Sequence, residues 1–85
     1  MSSVKLLKKR VKGMVYEVLN DCDYVIVNEG KNADAAESLI DEAVEFHNDM
    51  VTKINAAKNK SDFKAITEEV DKKAIDFVKK LNALN

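Results

Sequence analysis

The sequence predicts an all-α fold, an antiparallel up-down-up three-helix bundle with helices over about residues 3–28, 33–58 and 61–83. Three observations predict it. Hydrophobic residues make up 46% of the 85-residue chain, which has no proline and only two glycines, so core material is ample and helix breakers are scarce. Apolar residues recur at alternating spacings of three and four, the period of a helix face. The breaks between the periodic segments are a few residues long, and short connections leave antiparallel packing as the practical solution. At 1.5 Å per residue the three helices would each be about 35–39 Å long, so each meets both neighbours along its length. Residues 1–85 therefore read as one domain, with no repeat and no linker.

The first helix carries apolar residues at 4, 7, 11, 14 and 18 and continues through Cys22, Val25 and Ile26. Tyr24-Val25-Ile26-Val27 has strand propensity. No second strand-like segment exists to pair with it, and a lone strand would leave its backbone groups unpartnered, so the segment is predicted helical. Gly30 is placed to end this helix in the left-handed conformation. The second helix shows the cleanest seam, through Ala36, Ile40, Ala43, His47, Met50, Ile54 and Ala57. Asn32 or Asp34 is predicted to cap it, and Asp34 with Glu37 has the form of a capping box. Ser61 is predicted to cap the third helix, whose face reads Phe63, Ile66, Val70, Ala74, Phe77, Leu81 and Leu84.

Several function classes are excluded or disfavoured. No stretch approaches the roughly 18–20 uninterrupted apolar residues that span a bilayer. Near the start, Lys5, Lys8, Lys9, Arg10 and Lys12 interrupt the apolar residues, so no secretion signal is expected. Cys22 is the one cysteine and has no internal disulfide partner, which makes a reducing cytoplasm the expected location. The Asn59-Lys60-Ser61 triplet matches a glycosylation acceptor and is read as chance in such a compartment.

No catalytic constellation, nucleotide loop or cofactor motif is present, and the expectation is a protein that is not an enzyme. His47 interrupts an apolar seam, yet a metal needs three or four ligands and the chain offers one histidine and one cysteine. Di-metal bundle sites use a Glu-x-x-His pair, whereas Glu42 lies five residues before His47. No metal is expected. Cys22 sits between Asp21 and Asp23, which disfavour a thiolate, so it reads as a small hydrophobe.

The charge distribution says more. Residues 4–12 hold five basic and no acidic residues, residues 13–50 hold one basic and ten acidic, and residues 51–85 hold eight basic and five acidic. In an antiparallel bundle Lys5, Lys8, Lys9, Arg10, Lys12, Lys53, Lys58 and Lys60 gather at one pole. Glu68 and Glu69 are predicted to offset Lys5, Lys8, Lys9 and Lys12; the functional alternative is an anionic partner, either nucleic acid or a membrane surface. A pI near 5.8 and a single arginine count against specific nucleic-acid readout. On the second helix Glu37, Asp41, Glu45 and Asp49 form a stripe of like charge four residues apart, which costs stability unless compensated. Lys72, Lys73, Lys79 and Lys80 are predicted to compensate it, and a basic partner is the alternative.

Leu6, Tyr16, Leu19, Tyr24 and Val27 lie off the main seam of the first helix. A three-helix core needs a wide stripe and is expected to absorb Leu19 and Val27. Leu6, Tyr16 and Tyr24 remain as a candidate interface. Gly13, which costs about 1 kcal/mol against alanine in mid-helix, would let another helix approach closely. The leading expectation is a small interaction module that binds another protein, or a second copy of itself, through helix faces; the second is an accessory protein whose basic pole meets an anionic partner.

Overall fold

A computed structural model describes residues 2–28 and 32–84. Three helices, α1 (Ser2–Asn28), α2 (Ala33–Ala56) and α3 (Lys60–Leu84), form a rod of 45 × 17 × 17 Å. α2 ends two residues earlier than the sequence suggests: Ala57 turns to extended backbone (φ −67°, ψ 137°), its N–H held by the Ile54 carbonyl. The predicted Gly30 terminus of α1 lies outside the described residues.

Cross-helix contacts give the orientation. Asn32 meets Leu84, Glu42 meets Lys80 and Lys53 meets Glu69, so α2 and α3 run antiparallel. Arg10 pairs with Asp71, and Met14 lies beside α3 near Ala74 while Asp21 lies near Leu81, so α1 and α3 run parallel.

Most of the predicted seams are buried or pack against the core, with two differences. Val15, Leu39 and Phe46 are buried beside them, and Ile40, His47 and Ala57 of the predicted α2 seam are only partly buried, so that the α2 stripe is turned toward Leu39 and Phe46. Leu7, Val11, Val15, Val18, Cys22 and Val25 of α1 are buried against Ala36, Leu39, Ala43, Phe46, Met50 and Ile54 of α2 and Ile66, Val70, Phe77 and Leu84 of α3. Ala36 and Ala43 are fully enclosed and carry only a methyl group each, so α1 and α2 approach most closely. The larger Phe77 holds α3 further off, and its ring meets Phe46 edge to face at 5.9 Å. No polar or charged residue among those described is buried.

Leu19 packs against the core as expected; Val27 does not, and stands 72% exposed on the far side of α1. Gly13 faces open space: a Cβ built there meets nothing within 4 Å, so its smallness does not serve contact between the helices of one molecule.

Both predicted caps are corrected. Asn32 occupies the position before α2, but neither it nor an Asp34–Glu37 box makes a side-chain capping bond. Its amide instead donates to the Leu84 carbonyl at 2.8 Å, satisfying one of the open carbonyls at the end of α3 and tying the two helix ends together. At the start of α3 the cap is Asn59 rather than Ser61. Its Oδ1 accepts the Asp62 N–H at 3.0 Å while the Asp62 carboxylate accepts the Lys58 N–H at 3.0 Å, a reciprocal pair close to a capping box.

Candidate docking surface

Positioned by this packing, the three sides of the bundle differ in chemistry. Between α2 and α3 lies an ion-pair network centred on Glu42, which accepts hydrogen bonds from Lys73 and, at 2.8 Å, from Lys80. Asp76 joins it, 3.1 Å from Lys80 and 3.6 Å from Lys73. The Lys73 ammonium also sits 5.1 Å from the Phe77 ring centre and 6.0 Å from that of Phe46, roofing the aromatic pair. Hydrogen bonds from Lys73 first and Lys80 second hold the Glu42 carboxyl below its usual range. Lys80 does the same to Asp76, and the Glu42 and Asp76 carboxylates together raise Lys80.

The expected compensation of the acidic stripe is therefore corrected. Glu42 takes Lys73 and Lys80, whereas Glu37, Asp41, Glu45 and Asp49 are exposed and make no ion pair among the described residues. Asp41, Glu45 and Asp49 line the groove between α2 and α3 together with Glu42, Lys72 and Lys73, but the ammonium groups of Lys73 and Lys80 close on Glu42 and Asp76 and leave the stripe unpaired.

At the opposite chemistry, residues 5–12 of α1 share an end of the rod with Lys53, Lys58 and Lys60. Two charges there are matched, but by Asp71 on Arg10 and Glu69 on Lys53, and not by Glu68. Lys12 lies over the Tyr16 ring, 5.6 Å from its centre. Lys5, Lys8 and Lys9 make no ion pair among the described residues.

The third side is apolar. On α1, Leu6 is 63% exposed, Tyr16 55% and Tyr24 63%, beside Val27. Leu6, Gly13, Asn20 and Val27 stand seven residues apart, all exposed, forming a line that drifts only about 20° per step along the side away from the core. Tyr16 and Tyr24 flank that line. The groove between α1 and α2 adds Val44 beside Leu19 and His47, and the groove between α1 and α3 adds Val78, with Ile75 three residues before it. Of the seven exposed large hydrophobics among the described residues, four lie on α1, Val44 and Val78 border its two grooves, and Ile75 stands on α3. Val44, Ile75 and Val78 fall off the seams and were not singled out from the sequence; their one signal there is apolar residues next to a seam rather than in it.

His47 and Cys22 do not form a pair at this surface. His47 is half-buried, its Nδ1 3.4 Å from the Asn48 side-chain oxygen, in a groove that Cys22 does not line. Cys22 is wholly enclosed, and burial, then the Asp21 charge, raise its thiol pKa, which disfavours the nucleophilic thiolate. Among the described residues no group of three or more His, Cys, Asp or Glu could hold a metal ion, and no helix is long and apolar enough to cross a membrane.

No protein-family model matches the chain, and no curated protein or solved structure matches it.

Proposed function

We propose that the protein is a non-enzymatic interaction module that docks a protein partner on the outer face of α1. The observation that carries this reading is the concentration of exposed apolar side chains on one helix: Leu6, Tyr16, Tyr24 and Val27, four of the seven exposed large hydrophobics among the described residues, line α1, with Val44 and Val78 at its two grooves. Exposed apolar groups gathered on one side of a small domain mark an interaction surface, whereas scattered ones mark nothing. Tyrosines suit such a surface because they bury much area with few rotatable bonds. A reducing compartment fits the single buried thiol.

The reading is tested by placing a photo-crosslinking phenylalanine at Tyr24 or at Glu45, in cells that make the protein. Crosslinks to protein from Tyr24 and few from Glu45 support it. Crosslinks mainly from Glu45 would move the docking surface to the acidic stripe and sink the proposal.

A second reading rests on Lys5, Lys8 and Lys9, which have no carboxylate partner among the described residues and share a pole with Lys58 and Lys60. An anionic surface bound there should be released steeply by salt. Retention on anionic vesicles or on duplex DNA that does not fall between low and high salt would remove it.

A further inference from the structure

Resting on that reading, we infer that the occupant of the α1 face is a second copy of the chain, with the two α1 helices antiparallel about a twofold axis between Gly13 and Tyr16. Charge sets the direction. On α1 every basic residue lies at positions 5–12 and every acidic residue at 17, 21 and 23. Parallel pairing would set lysines beside lysines and aspartates beside aspartates. Antiparallel pairing sets each basic half against the partner's acidic half, and repeats the match by symmetry.

One register satisfies the apolar residues and the charges together. With the axis midway between Gly13 and Tyr16, Gly13 is level with the partner's Tyr16, and Leu6 is within one residue of the level of the partner's Tyr24. Lys5 is then within one residue of the level of the partner's Asp23, and these two stand on the same edge of the contact. Gly13 gains a role that the single molecule does not give it. Its missing Cβ faces open space in the monomer, on the line that runs from Leu6 to Val27, where it leaves room for the partner's tyrosine ring. The interface is isologous and closes at two copies, leaving the Glu42 network and the acidic stripe facing solvent.

The experiment is light scattering on the full chain over a concentration series, at low and high salt. The expected result is a mass that rises to twice 9.5 kDa and stops there. Gly13→Leu should raise the dissociation constant tenfold or more while raising the thermal midpoint of the monomer, because leucine is the better helix former. Those opposite signs separate a blocked interface from a damaged fold. Lys5→Glu and Asp23→Lys should each weaken the dimer, and the two together should restore it. A nitroxide on Val27→Cys, an exposed position, should report copies about 35–40 Å apart if antiparallel, against about 10–15 Å if parallel.

A concentration-independent monomer, a mass that climbs past two copies, or a short nitroxide distance would each overturn the proposal. Climbing mass would indicate head-to-tail joining of the basic pole to the acidic stripe. If the protein is monomeric but Tyr24 still crosslinks to a different protein, the dimer fails and the interaction module stands; if Tyr24 crosslinks to nothing, both fail.

Discussion

The side formed by α2 and α3 and the outer side of α1 are both exposed, yet they use opposite materials. Between α2 and α3 the boundary of the core is sealed by charge: Lys73 covers Phe46 and Phe77, Glu42 fixes Lys73 and Lys80, and Asp76 closes the network. On α1 the boundary is left open, with Leu6, Tyr24 and Val27 exposed and open space where a side chain at Gly13 would begin. A core this small benefits from both solutions. One side is finished within the molecule, and the other is suited to being finished by a partner.

The largest effects should come from the sealed side. Phe77 is almost fully buried and makes the edge-to-face contact with Phe46, so Phe77→Ala should cost about 3–5 kcal/mol in urea unfolding. Tyr24→Ser, by contrast, should stay within about 0.5 kcal/mol in the dilute monomer. A Tyr24→Ser loss comparable to that of Phe77→Ala would mean that α1's outer side is part of the fold, and the contrast would collapse.

Next comes the network. Glu42→Gln removes the negative charge shared by Lys73 and Lys80 while keeping one oxygen as an acceptor, and should cost about 1 kcal/mol at neutral pH, modest because the lysines are partly solvated. The Glu42 and Asp76 carboxyls titrate lower in the folded protein than in the unfolded chain, so their contribution is complete above the ordinary carboxylate range of about 4 and is lost as pH falls through the folded values. Lys80 titrates higher when folded, so its contribution is complete below the ordinary lysine value near 10.4 and is lost only as pH rises beyond it. The difference between wild type and Glu42→Gln should thus be flat through neutral pH and shrink in acid. A difference that grows in acid would contradict the network.

Of similar size is the effect at the turn between α2 and α3. Asn59→Ala should cost about 1 kcal/mol through loss of the bond to the Asp62 N–H, and Ser61→Ala should cost almost nothing. Thermal midpoints of the two variants, measured side by side, decide between the two residues; a larger loss at Ser61 would reverse the assignment.

What could be read from the sequence divides along a physical line. The three helices and most of their buried positions were legible because burial is periodic: Val11, Val18, Ala43, Met50, Val70 and Phe77 recur at helical spacing, and each proves enclosed. The caps were not, because Asn32, Asp34, Asn59 and Ser61 are all competent capping residues, and which one acts depends on where the first helical turn closes. Asn32 illustrates the limit, since its amide is taken by Leu84, 52 residues away. The Glu42 hub was missed for a related reason. A four-residue spacing identifies Glu37, Asp41, Glu45 and Asp49 as one row, but only the packing of α3 decides that its lysines close on Glu42, which shares their groove with Asp41, Glu45 and Asp49. For the candidate surface, Leu6, Tyr16 and Tyr24 were legible as apolar residues off the seam, whereas Val27 was assigned to the core because a helix face has no sharp edge in sequence.

The acidic stripe gives the sharpest sign. Glu45 stands four residues from Asp41 and four from Asp49, exposed, with no ion pair among the described residues. Glu45→Lys converts two like-charge neighbours into two opposite-charge ones, each pair passing from about 0.2–0.5 kcal/mol unfavourable to a similar amount favourable, so the variant should be more stable than wild type by about 1–2 kcal/mol at low salt. The gain should fade as salt screens the charges. A loss of stability instead would mean that Glu45 already leans on the lysines of α3, placing the stripe within the sealed side; a gain leaves it as an uncompensated row of charge that the fold itself does not require.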